Sequence, residues 1–177
     1  GLLIIDPQRS FTQGAWMRSI GSRAEDEVQP IRAAFLSCAA ALRGLDESVR
    51  PAFTRCPFPP ESYDWDETLG DVLPPEQAYF VKPGNSALWP PTNGYVRWIE
   101  ELLDCGRATL TIGGCTLNSC VRITALETQQ RFGDHGLEVV VDLSLCGARA
   151  QNYRPAPLFG GHDVAVAESQ VPLLDPV

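Results

Sequence analysis

The sequence predicts an α/β protein built as a three-layer, doubly wound parallel sheet of about six strands, flanked by helices. Three observations lead there. Several short apolar runs, GLLIID, ATLTI and LEVVVDL, lack polar alternation, as strands buried on both faces do. Segments with helical apolar spacing lie between them, and strand and helix alternate along most of the chain, which calls for parallel pairing with helices on the faces. The 177 residues suit one domain, taken as 1–177, with the last thirty or so residues atypical.

The elements follow in order. Gly1 to Asp6 is a buried strand ending in a carboxylate. From Glu25 to Leu45 the pattern VQPIRAAFLSCAAALRGL is helical, with Gly44 as its stop. Val49 to Thr54 is a second strand, in which Pro51 suits an edge or a start better than a centre. Cys56 to Pro75, rich in Pro, Asp, Glu and Gly, reads as a long surface loop. Ala78 to Lys82 is a short strand. A helix within Pro91 to Gly106 carries apolar residues at 95, 96, 98, 99, 102 and 103, closed by Gly106. Ala108 to Ile112 is a strand, GGCTLNSC turns into a helix at Val121 to Phe132 ended by Gly133, and Leu137 to Leu143 is a further strand. QNYRPAPLFGGH reads as loop or short helix, and DVAVAES as one more strand.

Composition narrows the function. Hydrophobic residues at 44% and charged residues at 20% are the balance of a globular protein, not of a disordered one. A net charge of -8 without any basic run argues against nucleic acid or an anionic membrane as partner, since such affinity comes from neutralising phosphates. No stretch is long and apolar enough for a membrane helix, and the first ten residues lack the charged start of a secretory signal, so the expected compartment is the cytoplasm. The six cysteines form no CxxC and no short-range framework, so they are expected to be reduced. Thirteen of the fourteen basic residues are Arg; the only lysine is Lys82. A lysine is a compact point charge with a movable pKa, which a guanidinium is not.

Parallel strands put ligand sites at their carboxyl ends, where Asp6, Lys82 and the turn leading to Cys120 should meet. An acid, an amine and a thiol together make a nucleophilic site: the carboxylate takes the thiol proton and the ammonium stabilises the thiolate. A helix start at Cys120 would lower its pKa further and offer N–H groups to an oxyanion. Taken singly, cysteines are more often small buried hydrophobes, which is the reading for Cys38, Cys105 and Cys146. Cys56 and Cys115 stand near enough to be reactive bystanders. Asp6 could instead cap a helix, a common place for Asp after a strand.

LLIIDPQRSF, VKPGNSALWPPTNGYVRWIEELL and TIGGCTLNSCVRITALET resemble, in order and spacing, three signature blocks of the isochorismatase-like hydrolases, over roughly residues 1 to 143. The resemblance implies a six-stranded parallel sheet, with Asp6 as general base, Lys82 as electrostatic helper and Cys120 as nucleophile. It further implies a cis peptide from Cys115 to Thr116, and an oxyanion hole formed by the backbone N–H groups of Thr116 and Cys120. Gln8 and Phe11 stand where family members carry Gln and Phe after the first catalytic Asp. Trp16, Trp65 and Trp89 are the remaining candidates for pocket walls, with packing as the alternative role. Nicotinamidases of the family bind a metal through Asp-x-His and a further His, whereas YDWDETLG has no histidine; Asp64 and Asp66 are more often merely solvated, and neither a metal nor any other cofactor is expected. His135 and His162 are read as loop residues.

The resulting expectation is a thiol-dependent, metal-independent hydrolase that cleaves a C–N bond of a small amide, imide or ureide through a thioester. One alternative is an isochorismatase-type vinyl ether hydrolysis with Asp6 as acid and Cys120 as spectator. The other is a binding or scaffold protein on the same fold. By analogy with the family, the partner besides a small-molecule substrate is a second copy, in a dimeric or tetrameric homo-oligomer.

Overall fold

The computed structural model describes residues 1–13, 17–18, 24–57, 63–104, 106–153 and 159–168. Trp16 and Cys105 lie outside these, as does part of QNYRPAPLFGGH. Six strands, β1 (Leu2–Ile5), β2 (Pro51–Arg55), β3 (Phe80–Val81), β4 (Ala108–Cys115), β5 (Leu137–Gly147) and β6 (Ala165–Ala167), form one sheet in the order β3-β2-β1-β4-β5-β6. Every pairing is parallel. Among the described residues, the helices α1 (Ala24–Arg43), α2 (Tyr95–Leu103) and α3 (Arg122–Phe132) serve as crossovers.

The apolar run of β1 explains the layering. Its successive side chains point to opposite faces. Leu2 and Ile4 join Val28, Ile31 and Phe35 of α1 on one face. Leu3 and Ile5 join Tyr95 and Ile99 of α2 and Val121 and Ala125 near the start of α3 on the other. All four β1 residues are buried, as a strand covered on both sides requires. Because β2 and β3 run out from one side of β1 and β4 to β6 from the other, the order in which strands are added reverses between β1 and β4. A crevice opens at the carboxyl ends of the strands at such a switch point.

Several boundaries differ from the sequence reading. Pro51 opens β2, where its missing N–H is harmless, and β2 is an interior strand between β3 and β1. α3 ends at Phe132 with Gly133 as its C-cap, as expected, but Gly133 keeps a right-handed φ of -57° and a 3-10 turn, Gly133–His135, follows. The reversal falls at Gly136, with φ 95°, a conformation that suits a residue without Cβ. β4 and β5 are both longer than expected, with an irregular register between Ile112 and Gly114. The loop after β2 is not featureless: Gln8 forms an antiparallel bridge with Trp65, and Glu67–Leu69 is a 3-10 turn. Asp66 caps that turn, accepting from the Thr68 backbone N–H at 3.1 Å and hydroxyl at 2.7 Å and from the Thr12 hydroxyl. It is therefore a buried structural cap and not a solvated carboxylate.

Candidate active site

Asp6, Cys56 and Lys82 each sit one residue beyond a strand, and Cys120 in the turn that follows one. Asp6 follows β1 with a positive φ of 45°, which is uncommon for a residue with a Cβ and costs energy that the surroundings must offset. Thr54 on the neighbouring β2 supplies the offset. Its hydroxyl accepts from the Asp6 backbone N–H at 3.0 Å and donates to Asp6 Oδ1 at 2.6 Å. The other carboxylate oxygen, Oδ2, faces Lys82 Nζ at 2.6 Å, and both side chains are fully buried.

Lys82 follows β3, held in pairing register by its N–H to the Arg55 carbonyl at 3.0 Å. Its ammonium also donates to the Gly84 carbonyl at 3.0 Å and to Cys56 Sγ at 3.3 Å. Three acceptors thus surround a group with three donors. Burial alone would push the amine toward its neutral form, but the Asp6 carboxylate and the two thiols override it and hold the ammonium above the ordinary lysine value.

Cys120 lies in a π-helical turn, Leu117–Val121, that runs into α3. Such turns insert an extra residue and are common at functional sites. The peptide bond from Cys115 to Thr116, at the entry to the turn, is cis. The Cys120 thiol faces Asn85 Oδ1 at 3.5 Å. Its donor atom lies within 4.8 Å of those of Asp6 and Cys56. The structure thus brings Asp6, Lys82 and Cys120 together, and adds Cys56.

Cys56 and Cys120 open on a cavity of about 500 Å³ whose wall also includes Phe11, Asn85, Thr116 and Arg149; Asp6 and Lys82 are fully buried and not part of that wall. Of the four expected pocket residues that the structure describes, Gln8, Phe11, Trp65 and Trp89, Phe11 alone lines it. Gln8 is buried beneath Cys56: its amide accepts from the Cys56 N–H at 2.7 Å and donates to the Cys56 carbonyl at 3.0 Å, so it places that cysteine and does not form a wall. Trp65 is turned away by its bridge to Gln8 and stacks under Arg55, whose guanidinium carbon is 3.5 Å from the ring centroid. Trp89 is 62% exposed and off the cavity wall. Asn85, Arg149 and Asn152 are wall residues that the sequence reading did not name. Asn85 belongs to the VKPGN block already singled out, whereas Arg149 and Asn152 belong to a stretch with no recognisable pattern. His135 and His162 are exposed; His162 borders a separate cavity of about 790 Å³ near α3 whose wall has no cysteine, serine, threonine or lysine.

No known protein-family profile matches the chain, and no curated protein sequence does. Solved structures do. An isochorismatase-like hydrolase from Alkaliphilus metalliredigens superposes with TM-score 0.64 at 13% identity, over 94% of this chain and 92% of that one. The fold is that of the isochorismatase-like hydrolases. N-carbamoylsarcosine amidase from Thermoplasma acidophilum shares it, with TM-score 0.64 and 14% identity over 96% and 95% of the two chains. So does nicotinamidase from Bacillus subtilis, with TM-score 0.59 and 16% identity over 94% and 98%.

Among the described residues of this isochorismatase-like fold, Asp6, Cys56 and Cys120 are the group that could hold a metal ion. Two thiols and a carboxylate would suit zinc better than magnesium or calcium. The Lys82 ammonium, however, already contacts Asp6 and Cys56, so a positive charge occupies the place a cation would take.

The thiols differ sharply in acidity. A hydrogen bond from Cys56 and the charge of Lys82 outweigh burial and lower the Cys120 pKa to about 6. The Cys56 thiol, which gives that hydrogen bond, is raised in consequence and by burial. Iodoacetamide labelling of Cys120 should therefore rise through about pH 6 and level off by neutrality. A peptide-mapped pH profile measures this, and an onset above pH 8 would contradict the geometry.

Proposed function

We propose that the chain is a thiol-dependent, metal-independent hydrolase that cleaves a C–N bond in a small amide, imide or ureide, acting as one domain over residues 1–177. The observation that carries this reading is the buried contact of Asp6 with Lys82 at 2.6 Å beside the acidified thiol of Cys120, on the wall of a cavity sized for a small molecule. The catalytic residues are Asp6, Lys82 and Cys120.

In this reading the Cys120 thiolate attacks the substrate carbonyl carbon. The backbone N–H groups of Thr116 and Cys120 hold the oxyanion that forms. Asp6, having taken the thiol proton, passes it to the leaving nitrogen, and the C–N bond breaks to leave a thioester. Asp6 then takes a proton from water as the water attacks, and thiolate leaves. Lys82 balances the charge of the carboxylate and the thiolate through both halves. Asn85, Asn152 and Arg149 offer polar groups from the cavity wall to orient an amide.

Two neighbours are by name an amidase and a nicotinamidase, which supports an amide substrate class. The fold alone does not decide the chemistry, since the MAR1 ribonuclease of Caenorhabditis elegans shares it. The net charge of -8 disfavours RNA here. The further reading is a cytoplasmic homo-oligomer. A neighbour from Escherichia coli is described as octameric, and no described helix is long and apolar enough to cross a membrane.

The test is turnover of a panel of small amides, imides, ureides and vinyl ethers by the wild type and by Cys120→Ser. Release of amine or ammonia that disappears in the variant supports the reading. Vinyl ether cleavage that survives Cys120→Ser would favour acid chemistry at Asp6, and no turnover would favour a binding role. Chelation is expected to leave amide turnover unchanged, because Lys82 supplies the positive charge. Loss on chelation with recovery on adding zinc would overturn the metal-independent part.

A further inference from the structure

Cys56 takes no covalent part in the mechanism above, yet it stands inside the site. It is not there by the accident of a mobile loop. Gln8 clasps both its backbone groups, and its thiol faces Asp6 Oδ2 at 3.0 Å and Lys82 Nζ at 3.3 Å. Its sulfur lies within 4.8 Å of Cys120 Sγ, and both residues line the open cavity. A second thiol beside a nucleophilic one gives a hydrolase nothing that a serine could not give. It does give chemistry between the sulfurs.

We propose that Cys56 and Cys120 form a dithiol modification site that hydroperoxides convert to an intramolecular disulfide, with Cys120 the sulfur attacked first and Cys56 the resolving one. The proposal rests on the reading of Cys120 as the reactive thiolate.

The chemistry balances. The Cys120 thiolate attacks the terminal oxygen of a hydroperoxide; an S–O bond forms, the O–O bond breaks, and the departing alkoxide takes a proton from the Lys82 ammonium. Cys120 is now a sulfenic acid, two electrons oxidised, and an alcohol has left. Cys56 loses its proton and attacks the Cys120 sulfur; an S–S bond forms, the S–O bond breaks, and hydroxide leaves as water with that proton. Asp6, whose Oδ2 lies 3.0 Å from the Cys56 sulfur, carries the proton between them, and Lys82 regains its own from solvent. The sum is two thiols and one hydroperoxide to one disulfide, one alcohol and one water. A sulfur separation under 4.8 Å must shrink to about 2 Å, which side-chain rotation with a small shift of the Cys56 segment can supply.

Among the described cysteines, selectivity follows from burial. Cys38, Cys115 and Cys146 are almost wholly buried and absent from the cavity wall. Burial pushes the Cys38 thiol up to about 12 and raises the other two well above their ordinary value. The disulfide would remove the nucleophile and so switch hydrolysis off, while shielding Cys120 from irreversible oxidation; a dithiol reductant would restore it.

The experiment treats the folded wild-type protein with a small excess of hydrogen peroxide, blocks free thiols and maps the peptides by mass. The expected result is a Cys56–Cys120 cross-linked peptide, a mass lower by two hydrogens, little labelling by a sulfenic-acid probe, and reversal by dithiothreitol. Cys56→Ser should give no cross-link and should accumulate probe-reactive and over-oxidised Cys120; circular dichroism checks its fold, and Cys56→Ala serves if the serine variant does not fold. Wild type and Cys56→Ser oxidising alike at Cys120, or a cross-link joining other cysteines, would overturn the proposal. The readout needs no substrate. A cross-link without amide turnover sinks the hydrolase reading and leaves this one, whereas Cys120-dependent turnover without a cross-link does the reverse.

Discussion

Lys82→Arg is expected to fold, keep the net charge, and turn over the accepted amide about a hundredfold to ten-thousandfold more slowly, the usual loss when one electrostatic or proton-transfer contribution is removed. The reason is geometric. A tetrahedral ammonium meets Asp6 Oδ2, the Gly84 carbonyl and Cys56 Sγ at 2.6, 3.0 and 3.3 Å from one atom. A planar guanidinium is larger and spreads its donors over a fork, so it cannot satisfy all three from the same point. With no exposed surface at Lys82 the added volume should also cost about 1–3 kcal/mol in stability. Lys82→Ala removes the partner of a buried carboxylate, which costs about 3–5 kcal/mol, and it raises the Cys120 pKa by deleting a charge that now lowers it. The Cys120 labelling profile would move to higher pH. Steady-state kinetics with that profile in both variants measures the effect, and a Lys82→Arg protein working at nearly the wild-type rate would make the single lysine an accident of composition.

Gly114→Ala is expected to destabilise the protein by more than about 4 kcal/mol, or to prevent folding, an effect of the size reserved for core strain and clashes. Gly114 pairs with Ile5 where β4 runs beside the end of β1, with φ +107°. A Cβ there would fall 2.2 Å from the Ile5 carbonyl oxygen and 2.4 Å from the Ile5 nitrogen, both backbone atoms that cannot step aside without moving Asp6. Gly84→Ala is the control. A Cβ at Gly84 meets nothing within 4 Å, and the change should stay within about 0.5 kcal/mol. Urea unfolding of the two variants against wild type checks both statements. A Gly114→Ala protein within 1 kcal/mol of wild type would mean that the β1–β4 contact next to the site is not as close as described.

Much of the architecture was legible in the chain itself. The unbroken apolar run Leu2–Ile5 could be stable only between two helix layers, and the alternation of such runs with helical stretches made the sheet parallel. Parallel strands share one carboxyl edge, so residues at three strand ends could be assigned to one place from spacing alone. Asp6 and Lys82 stand one residue past β1 and β3, and Cys120 in the turn that follows β4, so all three leave the sheet at that edge.

The tertiary structure alone decided what surrounds them. Cys56 reads as a loop cysteine because its place depends on how far β2 is shifted against β1 and on the clasp of Gln8, contacts that reach across 48 residues. Trp65 looks like a pocket wall, but the same Gln8 segment bridges to it and turns its ring onto Arg55. Arg149 reaches the cavity from the end of β5, whose length past Leu143 follows from an irregularity in the pairing with β4 and not from any periodicity of its own. A sequence pattern records which face or end of an element a residue occupies. The register between elements, which sets distances of a few ångströms between side chains remote in sequence, exists only once the sheet has paired.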